Sequence, residues 1–297
     1  KPTYGRVSRH GLIAMASSFD QIGPIARCVE DVEILFNEIA GSDNFDSTVG
    51  DPKFRNSKSE IRNKSEIRST KQIPNLTIGV PKEYFIAGMD IEVEQKIKEA
   101  IAVMKESGFN IKEISLPHAD LALAAYYILM PAEVSSNLAR FDGVKYGFRA
   151  EAGNLLEQYL RTRSIGFGDE AKRRIMLGTF VLSAGYQDAY YKKAQKARRL
   201  IKNDFDAAFK EVDAILTPTS PTAAFKLGEK FNDPLTMYLA DIFTVSANVA
   251  GIPAISIPAG KTKAGLPIGL QIMANYFNED LIFSIAKKFE QENEYVN

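Results

Sequence analysis

Between Leu76 and Leu116 the chain reads strand, helix, strand, and that order restricts its fold more than any other feature. Leu76-Thr-Ile-Gly-Val80 has the apolar, β-branched content of a short strand. Residues 90–107 repeat apolar side chains at helical spacing and stop near Gly108, and Asn110 to Leu116 reads as a second strand. Strands joined through a helix lie side by side as a parallel crossover unit, so the sheet they start must be covered by helices. The expected fold class is therefore α/β.

Later segments extend the same pattern. Residues 118–211 are mostly helical in periodicity, with breaks near Gly143, Gly147 and Gly166 to Gly168. Asp213-Ala-Ile-Leu-Thr217 reads as a strand entering the proline-rich turn Pro218-Thr-Ser-Pro221. Pro253 and Pro258 bracket a four-residue strand, Ala254–Ile257, and Pro267 opens another that runs from Ile268 to Met273. A closing helix is expected at about 279–292, and an earlier one over 26–40 carries Cys28 as a small buried hydrophobe. Lys-Ser-Glu-Ile-Arg occurs at 58–62 and again at 64–68, which marks 51–72 as a polar surface loop with a short tandem repeat. No composition shift marks a domain boundary, so residues 1–297 are expected to form one α/β/α unit.

Composition removes several function classes. Lys plus Arg and Asp plus Glu both number 37, so net charge does not draw the chain to nucleic acid or an anionic membrane. No apolar run approaches the roughly 18 residues of a membrane span. Cys28 is the one cysteine, which rules out an internal disulfide and suits a reducing, cytoplasmic setting.

Nucleophile chemistry is hard to place. A Ser-His-Asp arrangement needs His10 or His118, the only histidines, and both stand in turn-like contexts that favour surface or capping roles. Two isolated histidines and one cysteine make no ordinary zinc site. The chain has no glycine-rich phosphate loop ending in Gly-Lys-Ser or Gly-Lys-Thr. Ser284-Ile-Ala-Lys287 matches a Ser-x-x-Lys pattern, but it lies within the closing amphipathic helix, where a nucleophile has no pocket to face.

Three groups of residues carry a family resemblance. Lys1-Pro-Thr-Tyr-Gly-Arg-Val-Ser-Arg9 runs into Gly11-Leu-Ile-Ala-Met-Ala-Ser-Ser-Phe-Asp-Gln-Ile-Gly-Pro24, and Asn248 to Gly260 is followed by Gly265-Leu-Pro-Ile-Gly-Leu-Gln271. Ser135 to Gly147, Lys172 to Phe180 with Tyr186 to Lys193, and Asp233-Pro-Leu-Thr-Met-Tyr238 form the third group. The chain resembles amidase-signature enzymes, and within them the A subunits of tRNA-dependent amidotransferases. The resemblance implies an α/β/α sandwich with a mixed central sheet, here truncated at its N-terminus. It also implies that the Ser, cis-Ser and Lys of catalysis lie before Lys1, so no catalytic residue is assigned in this chain.

What the resemblance implies about substrate is specific. Free glutamine is a zwitterion, so its pocket needs a cation for the α-carboxylate and an anion for the α-ammonium. Arginine suits the first role through its planar fork. From the residues alone, Arg173 and Arg174 both stand at the edge of an apolar helix face that includes Leu177, Phe180 and Val181. The resemblance selects Arg174 for the carboxylate, Asp241, on an expected Leu235–Phe243 helix, for the ammonium, and Tyr126 as a substrate contact. It implies a heterotrimer with the B and C subunits of such an amidotransferase, with tRNA mainly on the B partner. ATP and magnesium are expected on that same partner, with no cofactor in this chain and no membrane contact. The cations Lys192, Lys193, Lys196, Arg198, Arg199 and Lys202 read as a solvated helix face, with a surface for tRNA or a partner subunit as the alternative. The rival expectations are another amidase-signature hydrolase acting on apolar or aryl amides, and a non-catalytic scaffold.

Overall fold

The expected strand–helix–strand unit is present. The computed structural model describes residues 1–50, 75–86, 88–229 and 234–293, with backbone alone at 234–236. The repeat at 51–72 lies outside the described residues, as does Asp233. In chain order the elements are α1 (Val29–Ile39), β1 (Thr77–Pro81), α2 (Ile91–Glu106), β2 (Asn110–Ile114), α3 (Leu121–Asn137), α4 (Leu155–Gly166) and α5 (Asp169–Leu182). They continue with α6 (Lys192–Glu211), β3 (Ala214–Pro218), α7 (Pro234–Leu239), α8 (Val245–Ala250), β4 (Ala254–Lys261), β5 (Pro267–Ala274) and α9 (Glu279–Glu292).

Among the described residues, five strands make one mixed sheet in the order β2-β1-β3-β5-β4. β1 runs parallel to β2 and to β3, whereas β5 runs antiparallel to β3 and to β4. The α/β class expected from the sequence is the class observed. One strand departs from expectation. β4 does not end before Pro258 but continues to Lys261, with Pro258 opposite Gly269 and a register shift between Pro258 and Gly260. Proline gives no ladder hydrogen, and β4 is the last of the five strands and irregular at this point, which is where a sheet tolerates one.

The core explains the helix placement. Ile255, Leu270 and Ile272 from one sheet face join Phe36 of α1, Ile97 and Met104 of α2, and Ile285 and Phe289 of α9 in one buried cluster. Local signals set the helix ends. The Asp90 carboxylate accepts a hydrogen bond from the Glu92 N–H at 2.8 Å, capping α2. Asp90→Ala should therefore lower the unfolding free energy by about 1 kcal/mol, read from the denaturant midpoint. Cys28 is not inside α1 as expected. It stands half-buried and extended at the N-cap position, and the Glu290 carboxylate of α9 takes the Val29 N–H at 3.0 Å in place of a local cap.

Contacts group the chain into two compact units. The first comprises Lys1–His10, Gln21–Leu123 and Arg199–Asn297 and holds the whole sheet. The second comprises Gly11–Asp20 and Ala124–Arg198 and is helical. Its core is Ala16, Met130, Val134 and Leu138, with Phe19, Tyr126 and Ile175 packed around them. The expected breaks near Gly143 and Gly166 to Gly168 are seen, and a further break at Ser183–Gly185 leads into a π-helical turn at Gln187–Tyr191. α5 packs closely on α3 at Gly178, where an added Cβ would lie 1.8 Å from the Pro131 carbonyl oxygen.

Candidate functional site

The second unit places Arg174 with unusual care for a charged residue. Helix α5 carries Arg173 and Arg174 side by side, yet the Arg173 side chain is 43% exposed and that of Arg174 only 11%. Several contacts orient the Arg174 guanidinium. Nε donates to Glu170 Oε1 at 2.7 Å, Nη1 approaches the Met130 sulfur at 3.4 Å, and the Tyr127 ring lies 5.0 Å from the guanidinium carbon. Burial works against the charge, but the Glu170 hydrogen bond and the Glu170 carboxylate outweigh it, so the pKa is held above the ordinary arginine value. The group is a permanent cation in a partly dry, fixed setting.

Tyr126 belongs to the same cluster. Its ring stands edge-on to Tyr127 at 5.0 Å and to Phe19 at 5.5 Å, and it is half-buried. Tyr127 thus links the two residues selected by the resemblance, Tyr126 on one side and Arg174 on the other. Sequence reasoning gave no role to Tyr127, Met130 or Glu170. Glu170 had a readable signal, because a carboxylate four residues before an arginine on one helix faces it.

Asp241 lies in the first unit, and not on a helix as expected. It is exposed in the five-residue turn Ala240–Thr244, beyond the end of α7 and before α8. The turn is tightly tied. The Asp241 carbonyl accepts from the N–H groups of Thr244 and Val245, both at 3.0 Å, and from Thr244 Oγ1 at 3.2 Å. Phe243, two residues on, is buried and stacks on Tyr84 at 5.4 Å. The Tyr84 hydroxyl meets Ser246 Oγ at 2.5 Å, and burial pushes its pKa up to about 12. From β5, Gln271 Nε2 donates to the Phe243 carbonyl at 3.0 Å and to Thr217 Oγ1 of β3 at 2.8 Å. Next along the same sheet face, Thr219 Oγ1 and Ser256 Oγ meet at 2.8 Å over Gly269, where a Cβ would lie 2.8 Å from Thr219 Oγ1. A polar strip therefore crosses β3, β5 and β4 on the face opposite the cluster of Leu270 and Ile272.

The other sequence candidates fall into place as structural residues. His10 is exposed and stacks on Phe45, and the Asp204 carboxylate holds both the N–H and Nδ1 of His118. Ser284 Oγ donates to the Asp280 carbonyl one turn back, and Lys287 pairs with Glu33 of α1, so these two side chains form no dyad. The cation face of α6 is only partly solvated. Lys192, Lys193, Lys196 and Arg199 are exposed, but Arg198 donates to Ser18 Oγ and lies over Phe19, and Lys202 lies over Tyr276. Among the described residues, no group of three or more His, Cys, Asp or Glu side chains is placed to hold a metal ion. No helix among them is long and apolar enough to cross a membrane.

Residues 1–283 match the family model described as Amidase, and the chain belongs to that family. It is 57% identical over 291 residues to the A subunit of glutamyl-tRNA(Gln) amidotransferase from Thermodesulfovibrio yellowstonii, covering 98% of this chain and 58% of that protein. The protein of the same name from Pelagibacter ubique is 54% identical over 297 residues, covering 100% and 60%. Among solved structures, the glutamyl-tRNA(Gln) amidotransferase A subunit from Thermotoga maritima superposes with a TM-score of 0.74 at 38% identity, covering 99% of this chain and 57% of that one. The chain thus spans 57–60% of the length of these relatives.

Proposed function

We propose that this chain supplies the substrate-recognising part of a glutamine amidase that feeds ammonia to a tRNA-dependent amidotransferase. Arg174 binds the α-carboxylate of free glutamine, Asp241 its α-ammonium, and Tyr126 contacts the substrate. The observation that carries this reading is the contrast between two adjacent arginines, of which only Arg174 is withdrawn from solvent and fixed by Glu170 and Tyr127. A guanidinium withdrawn from solvent and already oriented is suited to binding a carboxylate through its planar fork.

In this reading a serine attacks the glutamine side-chain amide, a tetrahedral oxyanion forms and collapses with release of ammonia, and water then clears the glutamyl-enzyme. The Ser, cis-Ser and Lys that perform these steps are assigned to sequence outside Lys1–Asn297, and Lys1–Asn297 alone is inactive. The ammonia passes to the B subunit, which activates the glutamyl group of Glu-tRNA(Gln) with ATP and magnesium, while the C subunit makes up the heterotrimer. Identity to amidotransferase A subunits over nearly the whole chain supports these partners.

The test uses the full-length protein assembled with its partners, glutamine labelled with 15N in the side-chain amide, ATP and Glu-tRNA(Gln). The expected result is transfer of the label to the tRNA-bound residue. Turnover of apolar or aryl amides with no turnover of glutamine would overturn the proposal in favour of a general amidase.

A further inference from the structure

The Asp241 turn is fastened to the sheet by a side chain of β5. Gln271 stands on β5 opposite Thr217 on β3, so both side chains leave the same face of the sheet. Its amide has two hydrogens and both are committed, one to Thr217 Oγ1 at 2.8 Å and one to the Phe243 carbonyl at 3.0 Å. A carbonyl can only accept, so the Phe243 bond fixes which way the amide points. Gln271, Thr217 and Phe243 are all buried, so nothing from solvent can replace either bond. Phe243 lies two residues after Asp241, inside the turn in which the Asp241 carbonyl is gripped by Thr244 and Val245. Phe243 and Asp241 thus belong to one hydrogen-bonded turn, and a shift of one is transmitted through it.

We propose that Gln271 is a positioning residue that sets the Asp241 carboxylate for the α-ammonium of the substrate. The inference rests on the assignment of Asp241 given above. Thr217 acts with it by holding the second amide hydrogen, and the stack of Tyr84 on Phe243 limits the remaining freedom of the turn. None of the three touches the reacting amide, so their loss should appear in recognition of one end of the substrate and not in bond cleavage.

The experiment compares two substrates on the full-length protein: glutamine, and 4-carbamoylbutanoate, which is glutamine without its α-ammonium. Gln271→Leu removes both donors at similar volume. Its KM for glutamine should rise about tenfold or more while kcat stays within about threefold, and kcat/KM for 4-carbamoylbutanoate should change by less than about twofold. Gln271→Asn keeps the amide but is too short to reach Phe243, so it should show the same split at smaller amplitude, and it serves if the leucine variant fails to fold. Equal losses for both substrates would mean a merely structural role and would overturn the inference, as would unchanged glutamine KM in the asparagine variant. Asp241→Ala separates the two levels of the argument. If it raises the glutamine KM selectively while both Gln271 variants do not, only the positioning role falls. If Asp241→Ala leaves glutamine KM unchanged, the assignment of Asp241 falls and the Gln271 role with it.

Discussion

Replacing Arg174 by alanine should lower kcat/KM for glutamine by about 30- to 5,000-fold, the equivalent of losing one partner of a buried charge pair at about 2–5 kcal/mol. The side chain is 11% exposed, so little water screens its pairing with a carboxylate, and its plane is already oriented by Glu170 and Tyr127. That pre-orientation is what makes the expected loss large, because the wild-type site spends little on ordering the guanidinium when substrate arrives. Arg174→Lys should recover only a small part, since an ammonium cannot offer two parallel hydrogen bonds or lie flat over Tyr127. Arg173→Ala is the internal control. Its side chain is 43% exposed and pairs with the same Glu170, so removing it should change kcat/KM by less than about twofold, as for an exposed ion pair. Glutaminase kinetics on the three variants, with thermal midpoints measured alongside, check the whole set.

A second large effect is expected from Gly178→Ala, and its sign is decided by a contest of magnitudes. Glycine inside a helix is worse than alanine by about 1 kcal/mol, so propensity alone favours the substitution. Against that, the new Cβ would stand 1.8 Å from the Pro131 carbonyl oxygen and 2.9 Å from the Ser135 Cβ. The obstacle is backbone, which cannot rotate away, so α5 must lift off α3. Overpacking of this kind usually costs about 1–3 kcal/mol, and a contact this short belongs at or above the top of that range. The net expectation is a loss of about 2 kcal/mol or more, read as a lowered denaturant midpoint. Because Arg174 lies one turn before Gly178 on the same helix, the glutamine KM should rise as well. A stability gain of the size propensity predicts would mean that the helices are not in contact at this point.

These expectations show what could be read from the sequence and what could not. The strand–helix–strand unit was legible because β1, α2 and β2 each satisfy a local rule: β-branched content, a 3.6-residue repeat with Asp90 as cap, and apolar content again. Pro267 marks the true start of β5 for the same reason. Pro258 misled because a proline stops an interior strand but not an irregular edge one, and which strand lies at the edge depends on pairing between distant segments. Cys28 is half-buried at the helix start because Glu290, 262 residues later, caps α1.

The candidate site divides in the same way. Arg174 could not be separated from Arg173 by spacing alone, since adjacent helix positions differ in burial only once α3 is packed beside them. Asp241 falls in a turn because Phe243 and Ser246 are drawn to Tyr84 and Gln271, contacts that no local periodicity encodes. Gln271 carried no visible signal beyond its place in the Gly265 to Gln271 motif. Its neighbours on the sheet face appear only once the β3–β5 register is known.

The most direct measurement is a crystal structure of the full-length protein with its nucleophilic serine replaced by alanine and glutamine bound. The account predicts the α-carboxylate bound by two parallel hydrogen bonds from the Arg174 guanidinium, with the α-ammonium within hydrogen-bond reach of the Asp241 carboxylate. Glutamine bound with its α-carboxylate and α-ammonium on other side chains would contradict it.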